Sequence, residues 1–415
     1  MTSKRVPLGV LDLVPISSGS DPPTALQNSI DLVRAAEALG YSRYWFAEHH
    51  LNPGVAGSSP AVLTAMAAAE TGHIRIGSGG VQSGHRTALS IVEEFGLLDA
   101  RYPGRIDLGI GRSGGPGLLQ QRPKNPEDPE RRPRRNANEP YRTAEGLLIP
   151  QRPSLRGLAN SPLLAMTSDL IRQQGAEPAG YGDLLDDIVG LLDGTYRSAE
   201  GLTARPTPGT GAGVELWVLG SSAGESASVA GRLGLRFAGN YHVSPATVLE
   251  AVDAYREAFV PSADLDRPYV AVSADVVVGL DDETANELAL GFPLWVLSIR
   301  SGQGAIPFPG PDEARRHHWT GAERALVRDR TETQFVGSPR SVAAQLRSLQ
   351  EATDADELLI TTVTHRHEDR IRSYRLLVDE WDNEQSPGLR AETHMHYPAA
   401  RETRPGSLTS RQHTG

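Results

Sequence analysis

The sequence predicts an α/β chain folded as a (β/α)₈ TIM barrel, with a long insertion after the fourth strand and a disordered C-terminal tail. Three observations carry this. Short apolar runs alternate with segments of helical periodicity. Their starts recur roughly every 30–38 residues through the first quarter of the chain, the size of a βα unit. Most of the strand-like runs are apolar without alternation, as in a parallel sheet buried on both faces. Eight such units favour a closed barrel over an open sheet.

The first strand is Val6–Val14. Asp21-Pro22 then caps a helix, with proline in its first turn. Leu26, Ile30, Val33 and Ala36 form that helix's apolar face, and Gly40 closes it. Tyr44–Ala47 is the second strand, and Ser59-Pro60 opens a helix to about Glu70. Ile74–Ser78 is the third strand. A helix over Thr87–Tyr102 follows, with Ile91, Phe95 and Leu98 on one face. Ile106–Gly111 is the fourth strand.

The rhythm then breaks. Residues 113–180 form an insertion. Within it, 113–160 is rich in proline and arginine and reads as partly loop and mobile. Its RRPRR run is either an anion contact or a solvated loop. Helices follow at about 181–194, 224–233 and 245–259, around strands Leu216–Leu219 and Arg236–Asn240. Tyr269–Val278 is the seventh strand, and Asp281–Ala289 begins a helix. Residues 292–330 read as an irregular excursion. Ser338–Ala352 is helical, Glu357–Thr362 is the eighth strand, and Glu368–Trp381 is the closing helix. One barrel domain over 1–384 is expected, with a polar, disordered tail over 385–415.

Composition narrows the chemistry. The net charge of −10 carries no basic excess for nucleic acid. With no cysteine, disulfides, thiolate nucleophiles and Cys-ligated zinc are excluded. No apolar run approaches the ~18 residues of a membrane span. The N-terminus has no signal-peptide architecture, so a cytoplasmic protein is expected.

In such barrels the active site lies at the C-terminal strand ends. Glu48, His49 and His50 stand after the second strand. Ser78, Gly79 and Gly80 close the third, followed by Gln82 and His85. Arg112 follows the fourth, Gly220-Ser221-Ser222 the fifth, Tyr241 and His242 the sixth, and His365 and His367 the eighth. Arg112 ahead of small residues suits an anion, and Gly220-Ser221-Ser222 before a helix is a second anion site. Ordinary turns and a helix cap are the alternative. The adjacent His49 and His50 point in opposite directions on extended chain, so one is either a general base or a structural histidine under the rim. A metal site joining them to His85, His365 and His367 lacks the helical spacing of carboxylate and histidine ligands, and no metal is expected.

These residues sit in strings that resemble a known family. WFAEHH (45–50), IRIGSGGV (74–81), GRIDLGIGR (104–112), LWVLGSS (216–222) and VGSPRSVAAQLRSLQ (336–350) follow the order of the bacterial luciferase-like flavin monooxygenases. The resemblance is closest to a subgroup found in actinobacterial secondary-metabolite pathways. It implies reduced FMN at the strand ends, O₂ as co-substrate and oxygenation of a small, polyketide-like molecule. A separate flavin reductase would supply the cofactor, and the chain would be a homodimer. It further implies that His49 is the active-site histidine, flanked by Glu48 and His50, and that Arg112 with Gly220, Ser221 and Ser222 binds the phosphate. Ser78-Gly79-Gly80 matches the place of a non-proline cis peptide beneath the ring. Gln82, His85, Tyr241 and His242 are pocket candidates. Related barrels use a deazaflavin, which leaves a deazaflavin oxidoreductase as an alternative. Gln82-Ser83-Gly84-His85-Arg86 departs from the subgroup's apolar loop, and keeps a non-catalytic flavin-binding barrel open as well.

Overall fold

The computed structural model describes residues 5–112, 139–153, 158, 161–172, 175 and 179–383. The expected disordered tail at 385–415, the RRPRR run and most of the proline-rich part of the insertion lie outside the described residues.

Eight parallel strands close on themselves: β1 (Leu8–Asp12), β2 (Arg43–Phe46), β3 (Arg75–Ser78), β4 (Ile106–Gly111), β5 (Glu215–Gly220), β6 (Arg236–Asn240), β7 (Val270–Val278) and β8 (Glu357–Thr361). β8 pairs with β1 through Leu8↔Leu358, which completes the ring. β1 is shorter than the apolar run predicts, for a local reason. The Asp12 carboxylate accepts the Val14 N–H at 2.8 Å, and Val14 turns to φ 54°.

Each strand is buried on both faces because alternate residues serve two cores. Val10, Tyr44, Leu216 and Val218 face outward into the layer beneath the helices. Leu11, Trp45, Ala47 and Trp217 face inward. Trp45 and Trp217 meet edge to face at 5.0 Å between ring centroids. Below them the Arg43 guanidinium lies 4.7 Å from the Trp217 ring and pairs with the buried Asp107 and Glu357 carboxylates. Arg75 also pairs with Asp107 at 2.7 Å, so two guanidiniums meet two carboxylates, and this packed plug fills the N-terminal end of the barrel and leaves the C-terminal end for a site.

The outer helices are α1 (Pro22–Ala38), α2 (Pro60–Ala69), α3 (Ala88–Arg101), α4 (Tyr181–Asp193), α5 (Glu225–Arg232), α6 (Val248–Ala258), α7 (Pro339–Thr353) and α8 (His367–Asn383). Asp21 and Thr87 cap α1 and α3 through their side-chain oxygens.

One expectation needs correction. The stretch 292–330 is not irregular. It carries helices Phe292–Arg300, Pro311–Arg316 and Gly321–Thr331, the last opened by a Thr320–Glu323 capping box. Each is too short for a clear sequence period, and Phe292, Trp295 and Phe308 of this stretch pack onto the inner core. The insertion, read as partly loop, also carries regular structure where it is described. Tyr141–Arg142 pairs antiparallel with Leu148–Ile149, and Pro162–Ile171 is a helix. The hairpin is held by tertiary contacts: Leu147 and Ile149 are buried, and the Tyr241 hydroxyl donates to the Leu148 carbonyl at 2.7 Å.

Candidate functional site

The mouth holds a cavity of about 230 Å³ that is open to solvent. The third strand's end builds one wall. The Gly79–Gly80 peptide is cis, as the resemblance implied for that position. A Cβ on Gly80 would lie 2.7 Å from the Gly109 carbonyl oxygen, and one on Gly79 2.7 Å from the Leu11 side chain. Glycine therefore lets bare backbone form this part of the wall. Ser78 does not line it. Its buried hydroxyl is 2.9 Å from both the Gly109 nitrogen and the Gly109 carbonyl oxygen, so it ties β3 to β4.

A second wall suits an anion. Arg112, Gly220, Ser221 and Ser226 line the cavity together. Arg112 Nη1 is 3.4 Å from Glu225 Oε2 at the start of α5. That helix begins after Gly224 with no side-chain cap, so its first N–H groups are available to a ligand. Ser222 is not among the lining residues, and its carbonyl accepts the Gly224 N–H at 2.8 Å. Tyr181, whose hydroxyl donates to the Ile110 carbonyl at 3.2 Å, stands in the field of Arg112. Burial raises the Tyr181 pKa, against the opposing pull of Ser226 and Arg112.

The histidines divide into distinct environments. His49 lines the cavity and its neighbour His50 does not, as opposite side-chain directions require. His49 Nδ1 is enclosed without a partner. Burial, reinforced by His50, pushes its pKa down to about 4, so it is neutral near pH 7. His50 Nε2 and His85 Nε2 approach the same oxygen of Glu48, Oε1, at 2.9 and 3.2 Å. Glu48 Oε2 accepts the Gln82 N–H at 2.9 Å, and the Gln82 side-chain amide donates to the Glu48 carbonyl at 2.8 Å. Burial alone would raise the Glu48 pKa. Bonds from His85, Gln82 and His50, with the nearby Arg86, outweigh it and hold the carboxyl below its ordinary value.

His242 enters from the opposite side of the mouth, and burial, with Arg330 and His49 nearby, pushes its pKa down to about 3. Tyr241 does not join it. The period-two alternation at the end of β6 sends Tyr241 outward, fully buried against Phe335 and the hairpin. It is a support for the insertion and not part of the cavity lining. His365 Nε2 lies 3.0 Å from the Ser18 carbonyl oxygen and stands outside the Glu48 cluster.

Ser226, Asn240, Tyr181 and Val243 belong to this region and escaped the sequence reading. Asn240 is the last residue of its strand and carries no motif that marks it in the sequence. Ser226 faces the cavity from inside the first turn of α5.

A barrel with a glycine wall, a patch suited to an anion and a neutral histidine at its mouth has the form of a small-molecule site, and comparison with known proteins defines the class. The profile of the family described as luciferase-like monooxygenase matches residues 6–154 and 182–356, and the chain belongs to that family. YvbT of Bacillus subtilis is 36% identical over 91% of this chain and 97% of its own length. A luciferase-like monooxygenase of Escherichia coli K12 is 32% identical over 91% and 98%. The crystal structure of apo-MsnO8 superposes with a TM-score of 0.70 at 32% identity, covering 91% and 98%. More distantly, the fold is shared with the FMN-bound oxygenating component of 3,6-diketocamphane monooxygenase from a Pseudomonas putida plasmid (TM-score 0.59, 17%, covering 90% and 97%). It is also shared with an F420-dependent secondary alcohol dehydrogenase (TM-score 0.55, 13%, covering 91% and 99%). Among the described residues, no helix is long and apolar enough to cross a membrane.

Proposed function

We propose that this chain is a monooxygenase that takes reduced FMN and O₂ and oxygenates a small apolar molecule, polyketide-like in character. The observation that carries the reading is the pairing, in one cavity, of an anion cradle with a glycine wall. Arg112, Ser221 and the uncapped start of α5 suit a phosphate. Gly79 and Gly80 line the cavity with bare backbone pressed against Leu11, Trp45 and β4, a surface against which a flat ring can lie. His49 lines the same cavity, and its enclosed, unpartnered Nδ1 leaves the imidazole with unused hydrogen-bonding capacity.

Bound reduced flavin would supply the electrons that activate oxygen. The chain's own residues bind, orient and exclude water. Arg112 holds the phosphate by charge-assisted bonds. Neutral His49 offers a proton acceptor or donor at the cavity without burying a charge. Leu11, Leu13, Leu219 and Val243 give the cavity an apolar side, which supports an apolar or aromatic acceptor. The 82–86 loop is stitched to Glu48 through Gln82 and His85, which favours a working site over a carrier. No second dinucleotide unit is legible in the sequence, and a separate reductase as electron source follows from that. Val62 and Met66 of α2 with Leu89 and Leu97 of α3 are exposed, and they suit the burial that a homodimer would provide.

Cofactor choice is tested first. Fluorescence titration of the full chain with FMN and with F420 should give tighter binding of FMN, and anaerobically reduced FMN with ¹⁸O₂ should label an apolar acceptor. Binding of F420 in preference to FMN would replace this reading with a deazaflavin oxidoreductase. Binding of FMN without label in any acceptor of a broad panel would support a flavin carrier.

A further inference from the structure

Glu48, His50 and His85 bring three metal-ligating atoms together on the rim of the cavity. Among the described residues this is the only group of its kind, with all three ligand atoms within 4.8 Å of one another. Two come from the segment after β2 and the third from a short 3₁₀ turn, Ser83–His85, after β3. We infer that this cluster is a site for one divalent first-row transition ion, held by Glu48 Oε1, His50 Nε2 and His85 Nε2.

The donor geometry argues for it. Zinc-type bonds of about 2.0–2.1 Å in tetrahedral arrangement set neighbouring donors about 3.3 Å apart. The two imidazole nitrogens already lie 2.9 and 3.2 Å from one carboxylate oxygen, within a few tenths of an ångström of that spacing, and all three donors lie within 4.8 Å of one another. The rings meet edge to face at 89°, so their nitrogens converge on that oxygen from different directions. Both nitrogens converge on Oε1, and the other oxygen is kept by the Gln82 N–H. Such an outer bond fixes a ligating carboxylate. Glu48 is fully buried while the two histidines are only partly so, which leaves an entry path.

Two imidazoles and a carboxylate suit zinc, iron, cobalt or nickel, and exclude the thiolate-seeking ions. The opposing charge is Arg86, whose Nε is 4.0 Å from Oε1. Its Nη1 is 2.6 Å from Glu94 Oε2, which offsets that charge. Because Glu48 lines the cavity, an ion here borders it, and an oxygen of a bound small molecule can complete the coordination. That last role rests on the monooxygenase reading; ion binding does not. The cluster has no helical ligand spacing, because its members come from two strand-end loops.

The test uses the untagged full chain, freed of metal with a chelator and titrated with Co²⁺ and then Zn²⁺. One Co²⁺ per chain should bind at micromolar concentration with a visible d–d band, and Zn²⁺ should displace it. His50→Ala and His85→Ala should each weaken uptake by about 10-fold or more, and His365→Ala should leave it unchanged. Failure of the wild-type chain to take up either ion in stoichiometric amount overturns the site and leaves a hydrogen-bonded cluster. Uptake unaltered in both His50→Ala and His85→Ala overturns it as well, since the ion then sits elsewhere. FMN titration of the same metal-free preparation reports on the flavin reading separately.

Discussion

His242 Nδ1 lies 2.5 Å from the hydroxyl oxygen of Ser273 on the neighbouring strand, and that hydroxyl is 3.3 Å from the Gly239 carbonyl. If the serine donates to the carbonyl, Nδ1 carries a hydrogen and donates to the serine, leaving Nε2 as an acceptor. Burial holds this imidazole neutral, with a pKa of about 3 in place of 6.5. The unfolded chain therefore takes the proton first as pH falls. The stability due to the neutral histidine is whole above pH 6.5 and is lost progressively toward about pH 3, at ~1.4 kcal/mol per pH unit. His242→Gln removes this titration. In urea unfolding at pH 7, 5 and 4, the wild-type advantage over the variant should shrink with each step down. An advantage that stays constant would mean that His242 is not buried neutral.

Arg112 is placed to hold a phosphate at the end of the cavity that also carries Ser221 and Ser226. Arg112→Ala should weaken FMN far more than riboflavin, because a charged hydrogen bond contributes about 1.5–3 kcal/mol. That is a loss on the order of 10- to 150-fold for FMN alone, read by quenching of flavin fluorescence. Equal weakening of both ligands would remove Arg112 from phosphate binding.

Most of the barrel was legible because each strand is buried on both faces and so reads as an apolar run. The mouth was legible because strand ends mark it. What was hidden depends on three-dimensional placement. Tyr241 and His242 are adjacent in sequence, yet only His242 lines the cavity, because the end of β6 alternates sides. The hairpin at Tyr141–Ile149 depends on Tyr241, nearly a hundred residues away, and leaves no local period. The helices of 292–331 are short, and their packing onto the inner core through Phe292, Trp295 and Phe308 is a tertiary contact that leaves no clear local period. The Glu48 cluster unites loops that sequence reading treats separately.

Gly80 tests the wall. An added methyl group would lie 2.7 Å from the Gly109 carbonyl oxygen and 3.2 Å from the Gly111 nitrogen, both backbone atoms of β4. Neither can yield as a side-chain tip can. Gly80→Ala should destabilise the fold by about 1–3 kcal/mol and weaken FMN and riboflavin alike, the opposite pattern to Arg112→Ala. Thermal unfolding together with the two titrations checks both halves. A variant as stable as wild type, with unchanged flavin affinity, would mean that β3 and β4 separate readily at this point.

His49 separates binding from turnover. Its side chain lines the cavity, yet its backbone N–H is committed to the Gly57 carbonyl at 2.7 Å, so the segment that carries it is anchored independently of the imidazole. Removing the ring should therefore leave the anion cradle 112–226 untouched and change FMN affinity by less than about threefold, a fraction of one hydrogen bond. The chemical step should suffer more. General acid–base groups contribute about 10²–10⁴-fold, so His49→Ala should lower kcat by that order with FMN affinity retained. His49→Gln, which keeps a polar atom at the cavity but cannot shuttle a proton, should behave like the alanine variant. Recovery of wild-type kcat in the glutamine variant would make the residue a hydrogen-bonding support and leave proton transfer to another group at the mouth.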